Sequence, residues 1–523
     1  MVVLVFKSNV RATDRELPLL RLALPALVGY FSAVGLAPVA CAASGEVELR
    51  VADHDTHEPI AARLSLRNSK GRPVFGGNRQ HVWKDHMLIE GAVVLTLAPG
   101  DYQFELESGP EYRTHRGTFQ IQQGATDHHV LAMRRFIDMK ARGWWSGDLQ
   151  VRRAASDLPL IMQAEDLHIM AVEPPATPRR LTPGALKPPA KPANADPQRI
   201  WSTHARSVSL PGGALGVSPL TTSDAAPAMP DASAWTDWLH PDLSPIWHRD
   251  LALPVSHELP VLLAHDAVAS IRVADARWGR DQLTDLTLGR QPADPRRFRP
   301  PHGPGLWTHE IYFHVLNCGF RLPPSAGSGA GINANPAGYN RVYVHCGEAC
   351  DWPTWWQGLR GGVVVVTNGP MLDPRANEQL PGHVFALPDG ASSLQVELAL
   401  HLATRDKVDY LEIIKDGEVV SETSLDKWAS ENGRLPPVAF SESGWMLVRA
   451  VARTPHTFRF AMSAPWYVER AGRPRISRRS VQFFQDWLDH DARAEAPSSK
   501  LDPAIAKATA EFWRNRLDAA TAD

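Results

Sequence analysis

The chain has 523 residues, 44% of them hydrophobic and 21% charged, with a formal net charge of −2. That length accommodates roughly three or four domains of ~150 residues, and the composition is that of a globular protein with ample core. The near-neutral balance excludes nucleic acid, or an anionic membrane, as a partner held by bulk charge. Seventeen tryptophans are the unusual count. Bulky core residues account for most of them, and cleft linings are the alternative.

At the N-terminus Lys7, Arg11, Arg15 and Arg21 precede an apolar run from Leu22 to Val39, followed by the small residues "ACAAS". Basic, apolar and small segments in that order form a secretory signal. Residues 1–43 are therefore expected to leave by cleavage near Ala42 or Ala43. Pro38 and Val39 make a poor lipobox, so lipid attachment at Cys41 is the lesser alternative. No other stretch approaches ~18 apolar residues. The expectation is an exported protein, periplasmic or extracellular, with no membrane insertion after cleavage.

From residue 44 to 135 the pattern has period two. Val47, Leu49 and Val51 alternate with Glu46, Glu48 and Arg50, and Tyr102, Phe104 and Leu106 follow a turn. Short strands between turn signals predict an N-terminal β-sandwich. Residues 136–390 mix apolar runs such as "LPVLLA" and "GGVVVVT" with helical pieces, which predicts an α/β layer or barrel. A proline-rich loop (173–197) interrupts it. A second sandwich is expected over 391–468, opened by Leu394, Val396, Leu398, Leu400 and Leu402, with Asp416-Gly417 as a hairpin turn. The tail, 469–523, reads as helical: Val481, Phe484 and Leu488 share a face after a Ser480 cap, and Ile505, Ala508 and Phe512 share another.

The chemistry centres on "GWWSGDLQVRR", Gly143 to Arg153. Residues two apart on a strand share a face, so Gln150 and Arg152 are expected to point the same way. Two histidines at that spacing can grip one metal ion, but this strand carries an amide and a guanidinium. Cys346 and Cys350 are close enough in sequence to pair in an oxidising compartment, leaving Cys318 free. No zinc-type spacing accompanies them.

The blocks "RRFIDMKARGWWSGDLQVRR", "LIMQAEDLHIMAVEP", "NCGFRLPPSAGSGAGINANPAGYNRVYV", "WWQGLRGGVVVVTNGPML" and "SAPWYVE" resemble, in that order, the CehA/McbA-like metallohydrolases, relatives of the carbaryl hydrolases. The resemblance runs over nearly the whole mature chain. It implies a catalytic region like the polymerase and histidinol phosphatase (PHP) domain, a distorted β/α barrel, flanked by two β-sandwiches and a helical tail. It also implies a strand reading "SGDLHVHR", whose histidines begin a metal cluster that activates water. Gln150 and Arg152 stand at those positions. A neutral amide is a weak ligand, and a guanidinium stays charged and repels a divalent cation. Ala274-Asp275-Ala276 stands where the family has a histidine-bearing stretch, and Thr203-His204-Ala205-Arg206 where it has acidic residues. Asp148 and Glu165 persist.

Ser328, in "AGSGAG", lacks the spacing of a nucleophile elbow and reads as a tight-turn serine. His204 is a candidate ligand, with a surface or core histidine as the ordinary reading. Arg321 and Arg341 are candidates for clamping an anionic substrate, structural pairing being the equal alternative. The reading is an exported family member with its metal site replaced, little or no hydrolytic activity, and a cleft kept for a small-molecule or glycan ligand. No resident cofactor is expected. The alternatives are a metal-dependent ester, carbamate or phosphoester hydrolase with an altered ligand set, using a divalent ion such as zinc, and an extracellular glycan- or surface-binding module. In the first reading Arg152 supplies the missing positive charge to Asp148 and Glu165.

Overall fold

The computed structural model describes residues 44–77, 81–83, 85–174, 196–221, 234–283, 294–493 and 501–523. The expected signal (1–43), with Cys41, and most of the proline-rich loop (175–195) lie outside the described residues. The chain divides into two compact units. One comprises the described residues up to Glu107 together with Thr114–Met133; the other comprises Ser108–Arg113 and Arg134–Asp523.

The first unit contains strands β1 (Gly45–Asp53), β2 (Ala61–Asn68), β3 (Met87–Glu90), β4 (Ala92–Leu97), β5 (Gly100–Glu107), β6 (His115–Ile121) and β7 (Thr126–Met133). They join in one sheet in the order β6-β5-β2-β3-β4-β1-β7, with β1 and β7 parallel. Period two holds on β1: Val47, Leu49 and Val51 are buried while Glu46 and Arg50 face solvent. Removing each such side chain from water contributes about 1.5–3 kcal/mol, so the alternation fixes which face turns inward.

The second unit opens with β8 (Trp144–Val151), α1 (Leu158–Ala164), β9 (Ile169–Val172) and β10 (Ile200–Ser202), with β8, β9 and β10 parallel. A five-stranded sheet follows: β11 (Arg206–Leu210), β12 (Gly213–Pro219), β13 (Trp247–Leu251), β14 (Ser270–Ala274) and β15 (Pro324–Ala326). Helix α2 (Leu259–Ala264) crosses from β13 to β14, and α3 (Gly303–Asn317) from β14 to β15; these three strands are parallel. A parallel bridge between Val151 and Ala330 carries the end of β8 to the segment after β15. Two backbone bonds hold that seam: Arg152 donates to the Ala330 carbonyl at 2.7 Å and Gly329 to the Gln150 carbonyl at 2.9 Å. Among the described residues, parallel β/α crossings are confined to these two short runs, and strands predominate over helices.

The remaining strands are β16 (Arg341–His345), β17 (Val364–Thr367), β18 (Met371–Ala376), β19 (Val384–Leu387), β20 (Leu394–Ala403), β21 (Val408–Lys415), β22 (Glu418–Ser424), β23 (Arg434–Phe440), β24 (Gly444–Ala452), β25 (Arg459–Ser463) and β26 (Trp466–Arg470). Helix α4 (Trp352–Arg360) joins β16 to β17, and α5 (Leu425–Ser430) joins β22 to β23. An eleven-stranded sheet runs β10-β9-β8-β16-β17-β25-β24-β21-β22, with β26 and β19 branching at β24. Strands β18, β20 and β23 form a three-stranded sheet. Its Leu398 and Leu400 share a core with Leu411, Ile413 and Met446 of the large sheet, which makes a two-layered packing. The boundary expected near residue 390 is not a break in the sheet, because β17 pairs with β25 across it. The expected hairpin turn is present: Asp416 and Gly417 have φ of +52° and +93°, and Gly accepts that conformation without a Cβ penalty.

Helices α6 (Arg478–Arg493) and α7 (Pro503–Asp518) form the tail. Two local expectations need correction. Ser477, not Ser480, caps α6: its Oγ accepts from the Ser480 backbone N–H at 3.3 Å. The buried residues of α7 are Thr509 and Trp513, and Ala508 is exposed. Trp513 sets that rotation, since its ring lies 5.0 Å from Phe484 and its Nε1 donates to the Pro260 carbonyl. Twelve of the largest fully buried side chains are tryptophans, so this residue type builds the core more than it lines a cleft.

Candidate functional site

Strands β8, β13, β14 and β15 direct four side chains into one buried polar cluster. These are Gln150, Asp250, Arg272 and Ser325, each 9% exposed or less. An isolated charge in such a place costs several kcal/mol unless it is paired and hydrogen-bonded, and the cluster meets that demand fully around Asp250. Arg272 donates Nε to Asp250 Oδ2 at 2.8 Å, and its Nη2 lies 2.6 Å from the same oxygen in the ion pair. Its Nη1 donates to Gln150 Oε1 at 2.8 Å. Asp250 Oδ1 accepts from Ser270 Oγ at 2.6 Å and also from Ser325 Oγ.

The guanidinium is wedged as well as bonded. A Cβ added to Gly327 would lie 3.0 Å from Arg272 Cζ and 2.9 Å from the Gln150 Cβ; one on Gly216 would lie 2.9 Å from Arg272 Nη2. Both glycines leave the space that the arginine fills.

His248 extends the network, with Nε2 and Ser270 Oγ 2.8 Å apart. Because the Ser270 hydroxyl proton is committed to Asp250, the imidazole donates through Nε2–H. Burial pushes His248 down to about 3, so it is neutral. Serine, histidine and aspartate thus lie together, but with serine in the middle and fully buried. A nucleophilic serine must give its proton to the imidazole, and this one gives it to the carboxylate.

Arg152 does not reach Asp148 or Glu165. The β8–β9 register shifts between Asp148 and Val151, and β8 ends at Val151, so alternation does not carry Arg152 onto the face of Gln150. It pairs instead with Glu173, just beyond the neighbouring β9, with Nη2 2.5 Å from Oε2. Glu173 Oε1 accepts from Ser207 Oγ at 2.5 Å. The Arg152 side chain is 29% exposed, whereas Glu173 is buried.

Asp148 serves the backbone. It accepts from the N–H groups of Gln150 (2.9 Å), Ser328 (3.0 Å) and Gly338 (2.7 Å), while burial raises its pKa. Ser328 exchanges hydrogen bonds with the Asn340 backbone, donating at 3.1 Å and accepting at 3.0 Å, and so acts as a loop tie. Arg341 is buried and donates to the carbonyls of Gly338, Glu165 and Asp166. His204 lies half-buried beside Ser202, and Arg321 pairs with Glu469 against the Tyr467 ring. Only Gln150 among the sequence candidates belongs to the Arg272 cluster. Arg272 and Asp250 went unnoticed in the sequence, although an arginine inside the apolar run "ASIRVA" is a sign of a buried partner.

A divalent metal does not fit this donor set. The Gln150 amide oxygen and Asp250 Oδ2 are turned toward a permanent cation, which would repel a second one a few ångströms away, and Asp250 Oδ1 already accepts from two serine hydroxyls. Among the described residues no group of three or more histidine, cysteine, aspartate or glutamate side chains converges.

No family model and no curated protein matches the chain. Among solved structures, the Bacillus anthracis TIE protein aligns over 22% of this chain and 20% of its own, at 16% identity and TM-score 0.15. The major pilin subunit BcpA of Bacillus cereus aligns over 18% and 30%, also at 16% identity and TM-score 0.15. A β-glucuronidase of Parabacteroides merdae aligns over 80% of this chain and 62% of its own, at 9% identity and TM-score 0.17. The chain therefore spans less than two thirds of each of these proteins, and likeness at this level carries neither fold nor function. No helix among the described residues is long and apolar enough to cross a membrane.

Proposed function

We propose that this chain is an exported, non-catalytic member of the CehA/McbA-like metallohydrolase lineage, on a PHP-like scaffold whose metal centre has been replaced by an internal arginine. It acts by binding rather than by hydrolysis, with a small molecule or glycan as the ligand class. One observation carries the reading: the Arg272 guanidinium lies between Asp250 and the Gln150 amide, which stands where the resemblance places a metal-ligating histidine. An inherited metal pocket is a set of acceptors arranged around positive charge. Loss of the ion would strand them unless a fixed cation took its place. Arg272 supplies that charge, permanently protonated and fork-shaped, and the serines at 270 and 325 satisfy the remaining carboxylate oxygen. Arg152 acts separately, tying the ends of β8 and β9 together.

Elemental analysis of the purified, dialysed protein tests this reading. Zinc, manganese, iron and nickel should be clearly substoichiometric. One or two tightly held ions per chain would overturn it.

A further inference from the structure

A second arginine cluster lies away from Arg272. Its scaffold is the tight turn after β26, where Arg473 N–H donates to the Arg470 carbonyl at 3.1 Å. Ala471 and Gly472 have φ of +52° and +66°. The left-handed region is unfavourable for an alanine, so the turn is held by its surroundings rather than by local preference. Arg470 provides part of that hold. Its guanidinium donates to the carbonyls of Pro388, Ala391 and Ser441, with no carboxylate among those acceptors. Across the turn, Ile476 N–H donates to Thr521 Oγ1 at 3.0 Å.

These segments enclose an open groove of about 480 Å³, within the range of small-molecule sites. Arg470, Arg473 and Arg475 line it with the hydroxyl-bearing Ser441, Ser443 and Thr521, and Asp389 and Glu442 stand on its walls. Arg473 is exposed. Arg475 is mostly buried, and its Nε is shut off from water without an acceptor. The Asp416 carboxylate is 3.9 Å away, beyond hydrogen-bond reach, and already accepts from the Trp445 backbone N–H at 2.9 Å. With its Nε closed to water on the Asp416 side, Arg475 can meet a ligand in the groove only through the terminal nitrogens of its guanidinium, and together with the exposed Arg473 it offers an oxyanion two guanidinium ends.

We propose that this groove is a binding site for a small ligand bearing a phosphate or carboxylate group, held by Arg473 and Arg475 and by the hydroxyl of Thr521. The site is independent of the Arg272 reading, and each stands or falls on its own experiment.

The test is isothermal titration of the full mature chain with inorganic phosphate and, separately, with succinate, in 150 mM chloride so that loose ion pairing is screened. Saturable binding of one of them at roughly millimolar strength is expected, as suits so small a ligand; which one binds identifies the headgroup. Arg473→Ala and Arg475→Ala should each weaken that binding at least 10-fold. Arg475→Lys should recover part of it, and Arg50→Ala, an exposed arginine of the other unit, should change nothing. Circular dichroism and melting confirm that the variants are folded; Arg473→Ala, at an exposed position, keeps the test valid if Arg475→Ala is not. Absence of saturable binding to either anion overturns the proposal. So does an affinity unchanged in folded Arg473→Ala.

Discussion

Arg272 and Arg475 are the same residue type in opposite circumstances. Arg272 is 1% exposed and spends its donors on an aspartate and an amide from two other strands. Arg475 belongs to a loop at a groove, and its ion-pair partner, the Asp416 carboxylate, lies 3.9 Å from its Nε, too far for a hydrogen bond. A satisfied buried cation is structural material that no ligand can reach. One that lines an opening without a hydrogen bond in place can present the ends of its guanidinium to a ligand. The comparison teaches that the place to look for binding is a guanidinium at an opening with no hydrogen bond in place, rather than one already enclosed by its partners.

The sharpest way to break the comparison is Arg272→Ala. It leaves Asp250 buried with two serine hydroxyls and no cation, and breaking such a pair costs ~3–5 kcal/mol. The variant should melt far below the parent, and Asp250→Asn combined with Arg272→Met should recover a substantial part of the loss. If Arg272→Ala melts with the parent, the guanidinium does not hold the site together.

A pH series follows in size. Burial holds His168 and His248 down to about 3 and His314 to about 4. A histidine with a depressed folded pKa binds its proton more readily when unfolded. Its contribution to stability is therefore present above the unfolded value of ~6.5 and is lost as pH falls toward the folded value. His248 couples this to the cluster, because protonating it adds a second cation beside Arg272. Glu111 works the other way. Burial and the nearby Asp166 carboxylate push it up to about 7, so its protonation favours the folded state over the same window. Melting temperature should fall as pH drops from 6.5 to 4, and more steeply in a Glu111→Gln background. A flat profile in both proteins would contradict the buried neutral histidines.

Arg152→Ala should cost less than Arg272→Ala, about 1–2 kcal/mol, because its pair with Glu173 is part-exposed and solvent screens it. Chemical denaturation of the two variants side by side gives the ratio; equal losses would erase the distinction between rim and centre. The smallest effect concerns Cys346 and Cys350, whose Sγ atoms are 2.7 Å apart. Mild oxidation, with oxidised glutathione as acceptor of the two electrons, should lower the intact mass by about 2 Da and leave oxyanion affinity at the groove unchanged. Free alkylation of both thiols after that treatment would show that they do not pair.

Much of the sheet architecture was legible because burial enforces alternation: the inward Val47, Leu49 and Val51, and the Asp416-Gly417 turn, follow from spacing alone. The seam between β17 and β25 was not, since strands nearly a hundred residues apart reveal no pairing to a local pattern. The tail helices were found, but α7 was rotated by one residue, because the large Trp513 outweighs the smaller Ala508. At the site, Gln150 was singled out from the sequence and its buried partners were not. Asp250 and Arg272 are separated from Gln150 by 100 and 122 positions, and no local spacing joins them. Arg152 was assigned the wrong acceptor because a register shift at the end of β8 cancels the rule that residues two apart share a face.

The unbroken ladder through β17 and β25 bears on how this molecule can be divided. Strand β17 is Val364–Thr367, three valines and a threonine, all fully or nearly buried. Severing the chain near residue 390 would remove β25 and leave that β-branched strand as a bare edge, open to pairing with the same edge of another copy. The front and back of this unit are therefore one cooperative object. A fragment ending there exchanges an internal seam for a sticky margin, so the domain boundary that the sequence suggests is a poor place to cut the protein.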